Sequence, residues 1–184
     1  MCGTKTSVNF KYLIFYAFQM VAKEYHFVFW MDASIRFHSS SIGSTLQQAK
    51  RTGLLFSVGD GAVAMRTYPA TFQYLNEEPC TFRDTVEVYA TFVIIFANTM
   101  ITEHILKPWT SCALALGCML PDTDTWNYIH CGHHGYVYHD CHRFDQSVLG
   151  ILTYRLFNNE LEGHMIKPIY TICKGCTTWN QRLR

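Results

Sequence analysis

A mixed α/β fold in one domain is what this sequence predicts, and three observations carry the prediction. Residues 10–24 are apolar almost all round, which reads as a buried helix. The run HFVFWM over 26–31 is short, β-prone and apolar on both faces, the pattern of a central strand in a parallel sheet. That run breaks abruptly into the polar DASIRF of 32–37. Asp32 therefore stands at the strand's carboxyl end, where ligands bind in open α/β sheets.

The remaining elements follow in order. Ser44 or Thr45 would cap a short helix that Gly53 ends, and LLFSV over 54–58 reads as a second strand. Gly59, Asp60 and Gly61 read as a turn. Residues 68–75 read as a helix with Pro69 in its first turn, and Pro79 and Cys80 fall in a loop. Residues 85–101 mix alternation with an apolar run and read as strand, with helix over 90–97 as the alternative. A helix is expected within 105–121, starting at or after Pro108 and stopping at Gly117. Residues 122–142 are irregular, rich in His, Gly and Tyr. The last long helix spans 144–157, with Asp145 where an N-cap or first-turn acid is favoured. The polar tail from Asn158 reads as an edge strand and loops. No repeat, linker or low-complexity tract divides the 184 residues, and 49% apolar content supplies one core.

Charge and cysteine content narrow the class. The net charge is +1 and no basic run stands out, which excludes a phosphate-gripping face and so a nucleic-acid partner. Aromatic residues make up 15%, suited to strands, pockets or a sugar-binding face. Eight cysteines point to an oxidising compartment, with pairings such as Cys112 or Cys118 to Cys131 or Cys141. Buried thiols in a reducing cytosol are the alternative. No stretch reaches the ~18–20 apolar residues of a membrane span. Residues 12–22, behind Lys5 and Lys11, fit the apolar part of a signal peptide, but no small-residue cleavage site follows and the buried helix is the preferred reading.

Four candidate sites emerge. His133, His134, His139, His142, Cys131 and Cys141, with the CKGC pair Cys173 and Cys176, would furnish a tetrahedral zinc site. Only one tight CxxC pair exists, so this reading ranks third, as a small zinc-binding protein. Asp32 offers carboxylate oxygen to a hard divalent cation, or simply caps the next turn. Asp145, beside His142 and Arg143, offers a base or hydroxyl-positioning acid, or only a first-turn charge. Trp109, behind Lys107 and Pro108, is a platform for a sugar or a base, or core.

Three blocks in one order also carry a resemblance, covering residues 10–157. FVFWMDASIRF, EHILKPWTSCALALGCMLP and CHRFDQSVLGIL resemble the signatures of an animal family abundant in nematodes, which is similar to nucleotide-diphospho-sugar transferases of the GT-A type. The resemblance implies a partial, three-layer GT-A-like α/β domain spanning 1–184. It implies transfer of a sugar from a nucleotide-sugar donor to a hydroxyl on a glycan or protein acceptor. In that type an Asp-x-Asp motif holds Mn²⁺ or Mg²⁺ against the diphosphate. Asp32 matches the first acid and is the implied metal ligand, while Ser34 replaces the second. Asp145 in FDQS becomes the base, with His142 beside it, and Arg36, Arg143 and His142 lend positive charge to the diphosphate. The KPW of 107–109 resembles a motif of retaining glycogenin-like transferases but precedes the Asp-Gln block here, so its role is not carried over. Relatives of this type work in the secretory pathway, in the Golgi lumen or secreted. They carry a membrane anchor and roughly a hundred residues ahead of the acidic motif, so the chain reads as N-terminally truncated. A non-catalytic, disulfide-stabilised domain binding glycan or protein is the second reading.

Overall fold

The computed structural model describes residues 20–38, 41–120, 131, 141–158, 160–166 and 169–172. The expected helix over 10–24 is seen in its last turn, where residues 20–24 are helical; its earlier part lies outside the described residues. Most of the irregular stretch 122–142 also lies outside them.

A three-stranded sheet carries the site. Strand β4 (Val86–Phe96) is central, flanked by β1 (Phe27–Met31) and β3 (Leu54–Ala62), and both pairings are antiparallel. The expectation of β1 as a central strand in a parallel sheet is thereby corrected: β1 pairs antiparallel with β4 and, among the described residues, lies at the sheet edge. Its apolar character has a different cause. Val28 and Trp30 pack into the cluster that contains Trp109 and Leu149, while Phe27 and Phe29 pack on the opposite cluster of Phe92 and Ile94. A strand covered on both faces reads apolar whichever way its neighbour runs. The mixed α/β composition of the prediction stands, and 86–96 is strand rather than helix.

Two irregularities shape this sheet. Phe56 pairs with Val93 but Ser57 pairs with Tyr89, so Ala90, Thr91 and Phe92 bulge out of β4. An odd number of extra residues exchanges the faces of a strand. Val88 before the bulge, and Val93 and Ile95 after it, accordingly face the same cluster. Further on, Val58 pairs with Val88 and Ala62 with Val86. The extra length there contains Gly59, Asp60 and Gly61, expected as a turn and found as a bulge within β3.

Helix α1 (Gly43–Thr52) covers one face through Ala49. Its N-cap is Ile42, with no side-chain cap, so Ser44 and Thr45 lie within the helix. Gly53 ends it at φ +81, a left-handed position suited to glycine. Helix α2 (Pro69–Tyr74) begins on Pro69 as expected. The helical run before Trp109 starts earlier than Pro108. An α-turn at Thr99–Ile101, capped by Asn98 Oδ1 accepting from the Ile101 N–H at 2.9 Å, leads into a π-helical turn, Thr102–Leu106. Helix α3 (Lys107–Leu114) continues from it. Pro108 has no N–H to give and its ring crowds the preceding turn, and the wider π turn accommodates it. Helix α4 (Asp145–Phe157) packs Val148, Leu149 and Leu152 against the face shared with α3. The polar tail supplies β5 (Tyr170–Ile172), which pairs antiparallel with β2 (Ile35–Phe37).

Among the described residues the disulfides are Cys112–Cys118 and Cys131–Cys141. Cysteines do pair, but locally rather than across the two groups as expected. With Cys131 and Cys141 oxidised together, the zinc arrangement loses two of its thiolates. His133, His134, His139, Cys173 and Cys176 lie outside the described residues. Two disulfides agree with an oxidising environment. Among the described residues no helix is long and apolar enough to cross a membrane.

Candidate active site

Asp32 follows β1 directly, and the bulge of β4 fixes its backbone. The Asp32 N–H donates to the Thr91 carbonyl at 2.9 Å, and the Ile35 N–H donates back to the Asp32 carbonyl at 3.0 Å. Arg36 tightens the same turn, with Nη1 donating to the carbonyls of Ala33 and Ile35 at 2.7 Å each. The guanidinium of this exposed residue is thus partly committed to backbone. Asp32 is exposed and Ser34 half-buried. Partial burial still pushes the Asp32 carboxyl above its ordinary 3.8, because desolvation disfavours the charged form.

Asp145 is placed by strain and by a tryptophan. Phe144, the N-cap of α4, has φ +45, uncommon for a bulky residue and characteristic of functional corners. The turn there sets Asp145 as the first residue of α4, half-buried, where an acid also favours the helix N-terminus. The fully buried Trp109 donates its Nε1–H to the Asp145 carbonyl at 3.0 Å. Its other side meets Trp30 edge-on, ring centroids 6.0 Å apart. Trp109 therefore joins the segment that ends in Asp32 to the segment that begins with Asp145. It is core, and it links the three blocks through one side chain.

The neighbours of Asp145 divide in two. His142 is buried, with Nδ1 accepting from the Tyr68 N–H at 3.2 Å and Nε2 on the Met119 carbonyl at 2.8 Å. An acceptor at Nδ1 and a carbonyl at Nε2 specify the neutral Nε2–H tautomer. Its ring ties three segments together. Arg143 has an exposed side chain, while its backbone N–H reaches the Arg66 carbonyl at 3.0 Å and Ser147 Oγ at 3.1 Å. Ser147 Oγ in turn donates to the Arg66 carbonyl at 2.6 Å.

The strongest polar feature beside Asp145 was not singled out from sequence. Glu87 lies on the central strand, 4% exposed. Gln146 Nε2 donates to its Oε2 at 2.8 Å, and Arg66 Nε stands 4.0 Å from the same oxygen. The β3 bulge makes the space: a Cβ on Gly59 would lie 2.4 Å from Glu87 Oε1, and one on Gly61 3.1 Å from it. A charged residue inside an alternating strand, opposite a Gly-x-Gly, was the available signal. Tyr89 shares this face. Its hydroxyl pKa is raised by burial first and then by Glu87 and Asp60, with Arg143 and Arg66 opposing.

Oxygen donors for a hard cation are Asp32 and Ser34. Among the described residues no three His, Cys, Asp or Glu side chains cluster as a metal site. One carboxylate with a hydroxyl still suits Mg²⁺ or Mn²⁺, because such ions are commonly held by one or two carboxylates together with substrate phosphates and water. Comparison of the chain with known protein families, curated protein sequences and solved structures found no match.

Proposed function

We propose that this chain is a GT-A-like glycosyltransferase domain that transfers a sugar from a nucleotide-sugar donor to a hydroxyl acceptor. The observation that carries the reading is the position of Trp109, in contact with Trp30 at one side and with Asp145 at the other. An acid after a strand and an acid opening a helix, 113 residues apart by number (145 minus 32), are thereby tied to one rigid element. Transferase chemistry needs donor and acceptor groups held in fixed relation.

In this reading Asp32 and Ser34 hold Mn²⁺ or Mg²⁺, whose chemistry is to neutralise charge on the leaving diphosphate. Arg36 and Arg143 contribute further positive charge there. Asp145 takes or orients the proton of the acceptor hydroxyl. His142 holds the loop that presents Arg143 and Asp145. A lumenal Golgi or secreted location belongs to the same reading, and the disulfides support it.

A disulfide-stabilised binding domain without transfer activity is the second reading, favoured by Ser34 standing where the type has its second acid. Titration calorimetry of oxidised protein with UDP and UDP-sugars, with and without Mn²⁺, separates the two. Mn²⁺-dependent binding that is lost in Asp32→Ala supports the transferase. Absence of binding by folded protein removes it and leaves the binding domain.

A further inference from the structure

The Glu87 cluster has the construction of a ligand site. A carboxylate buried on the central strand is accommodated by a bulge with two glycines around it. Burying a charge is costly without full pairing, yet the pairing here is incomplete. Arg66 Nε is buried and makes no hydrogen bond, and 4.0 Å separates it from Glu87 Oε2. Burial is graded outward from this floor. Arg66, Tyr89 and Gln146 are half-buried, and Asp60 and Arg143 are exposed. Only these outer members meet solvent, and Gln146 adjoins Asp145 on α4.

Its chemistry selects the ligand class. Asp60 and Glu87 bring two negative charges, Arg66 and Arg143 two positive ones, and all four act on Tyr89. Such balance favours neither an anion nor a cation. Glu87 accepts, Arg66 donates, and Tyr89 and Gln146 do both. A ligand bridging carboxylate and guanidinium needs adjacent groups that each donate and accept, as vicinal hydroxyls do. The Tyr89 ring adds apolar surface for the C–H face of a sugar.

We propose that Glu87, Tyr89, Arg66 and Gln146 form a subsite for a neutral, polyhydroxylated carbohydrate, and that this is the acceptor side of the site headed by Asp145. The acceptor assignment rests on the transferase reading; the carbohydrate subsite does not. Gln146, held by Glu87 at 2.8 Å, is the link between the subsite and Asp145.

Saturation-transfer NMR on the full oxidised chain tests it. The probes are methyl β-D-galactopyranoside, methyl β-D-glucopyranoside and methyl β-D-xylopyranoside, each with and without inorganic phosphate as competitor. At least one glycoside should receive saturation, phosphate should not displace it, and Glu87→Gln should weaken it about tenfold or more, the effect of losing a hydrogen bond to a charged group. Tyr89→Phe, which removes only a hydroxyl from a half-buried ring, should weaken it too. Thermal unfolding confirms that each variant is folded. No saturation of any glycoside by the wild type, displacement by phosphate, or equal saturation in both variants overturns the subsite. UDP binding with Mn²⁺, run in parallel, separates the two ideas. Donor binding without glycoside binding removes this inference alone. Glycoside binding without donor binding removes the transferase reading and leaves a carbohydrate-binding site.

Discussion

Trp109 donates its indole N–H to the main-chain carbonyl of Asp145 at 3.0 Å, joining two helices through residues 36 apart in sequence. A carbonyl in the first turn of a helix is normally reserved for an N–H four residues on, so a second donor makes this bond a tether rather than a helix-forming contact. The same indole packs on Trp30. Trp109→Phe keeps a ring and deletes the N–H. It should cost about 1–3 kcal/mol through the lost hydrogen bond and the smaller ring, and should weaken UDP binding less than Asp32→Ala does. Urea unfolding measures the first and calorimetry the second. A variant as stable as wild type would show that the tether is idle.

Asp32→Asn should separate stability from function. Burial raises the Asp32 carboxyl above 3.8, so the folded protein keeps this proton to higher pH than the unfolded chain. The contribution favours folding at low pH and declines as pH rises from 3.8 through the raised folded value. At neutral pH the ionised carboxylate is a small cost. The variant should therefore unfold at pH 7 at the same temperature as wild type or above it, while Mn²⁺-dependent UDP binding falls. Calorimetric scans at pH 7 check the sign. A clearly lower Tm would instead make the carboxylate a structural part of the 32–36 turn.

Gly59 and Gly61 should respond unequally to alanine. Gly59→Ala would place its Cβ 2.4 Å from Glu87 Oε1 and 2.5 Å from Cγ, whereas Gly61→Ala meets the same oxygen at 3.1 Å. Overpacking of the first kind costs about 1–3 kcal/mol, and the second should cost less. Pairing Gly59→Ala with Glu87→Ala should recover part of the loss, because the clash and its partner are removed together. Additive losses in the double-mutant cycle would mean that the bulge does not exist to seat Glu87.

Reduction should loosen the helix that carries Trp109. Cys112–Cys118 ties the end of α3 to a segment whose Cys118 carbonyl accepts from Thr71 Oγ1 at 2.9 Å. Both sulfurs are buried, at 3% and 0% exposure for their residues. Replacing both cysteines by alanine should lower stability by about 2–3 kcal/mol on chain-entropy grounds. Thermal unfolding of that variant beside wild type under reductant reads the effect. Equal Tm for oxidised and alanine forms would show that the bond adds nothing to folding.

The sequence by itself determined the local elements and the polarity change at Asp32. It also determined the helix that opens on Asp145, because side-chain periodicity and helix-end preferences act over a few neighbouring residues. It marked β1 as covered on both faces, but the parallel central strand read from that pattern was wrong, since a doubly covered strand is apolar whichever way its neighbour runs. Tertiary structure decided the antiparallel order, with β4 between β1 and β3, and the pairing of Cys112 with Cys118 and Cys131 with Cys141. It also gave His142 two backbone partners. The Glu87 cluster depended most on it: Glu87 from β4, Arg66 from the segment before α2 and Gln146 from α4 meet only once the sheet has formed and β3 has bulged. Linear pattern reports whether a residue is covered. Which distant group covers it follows from strand register and packing, where contacts across long sequence separations decide.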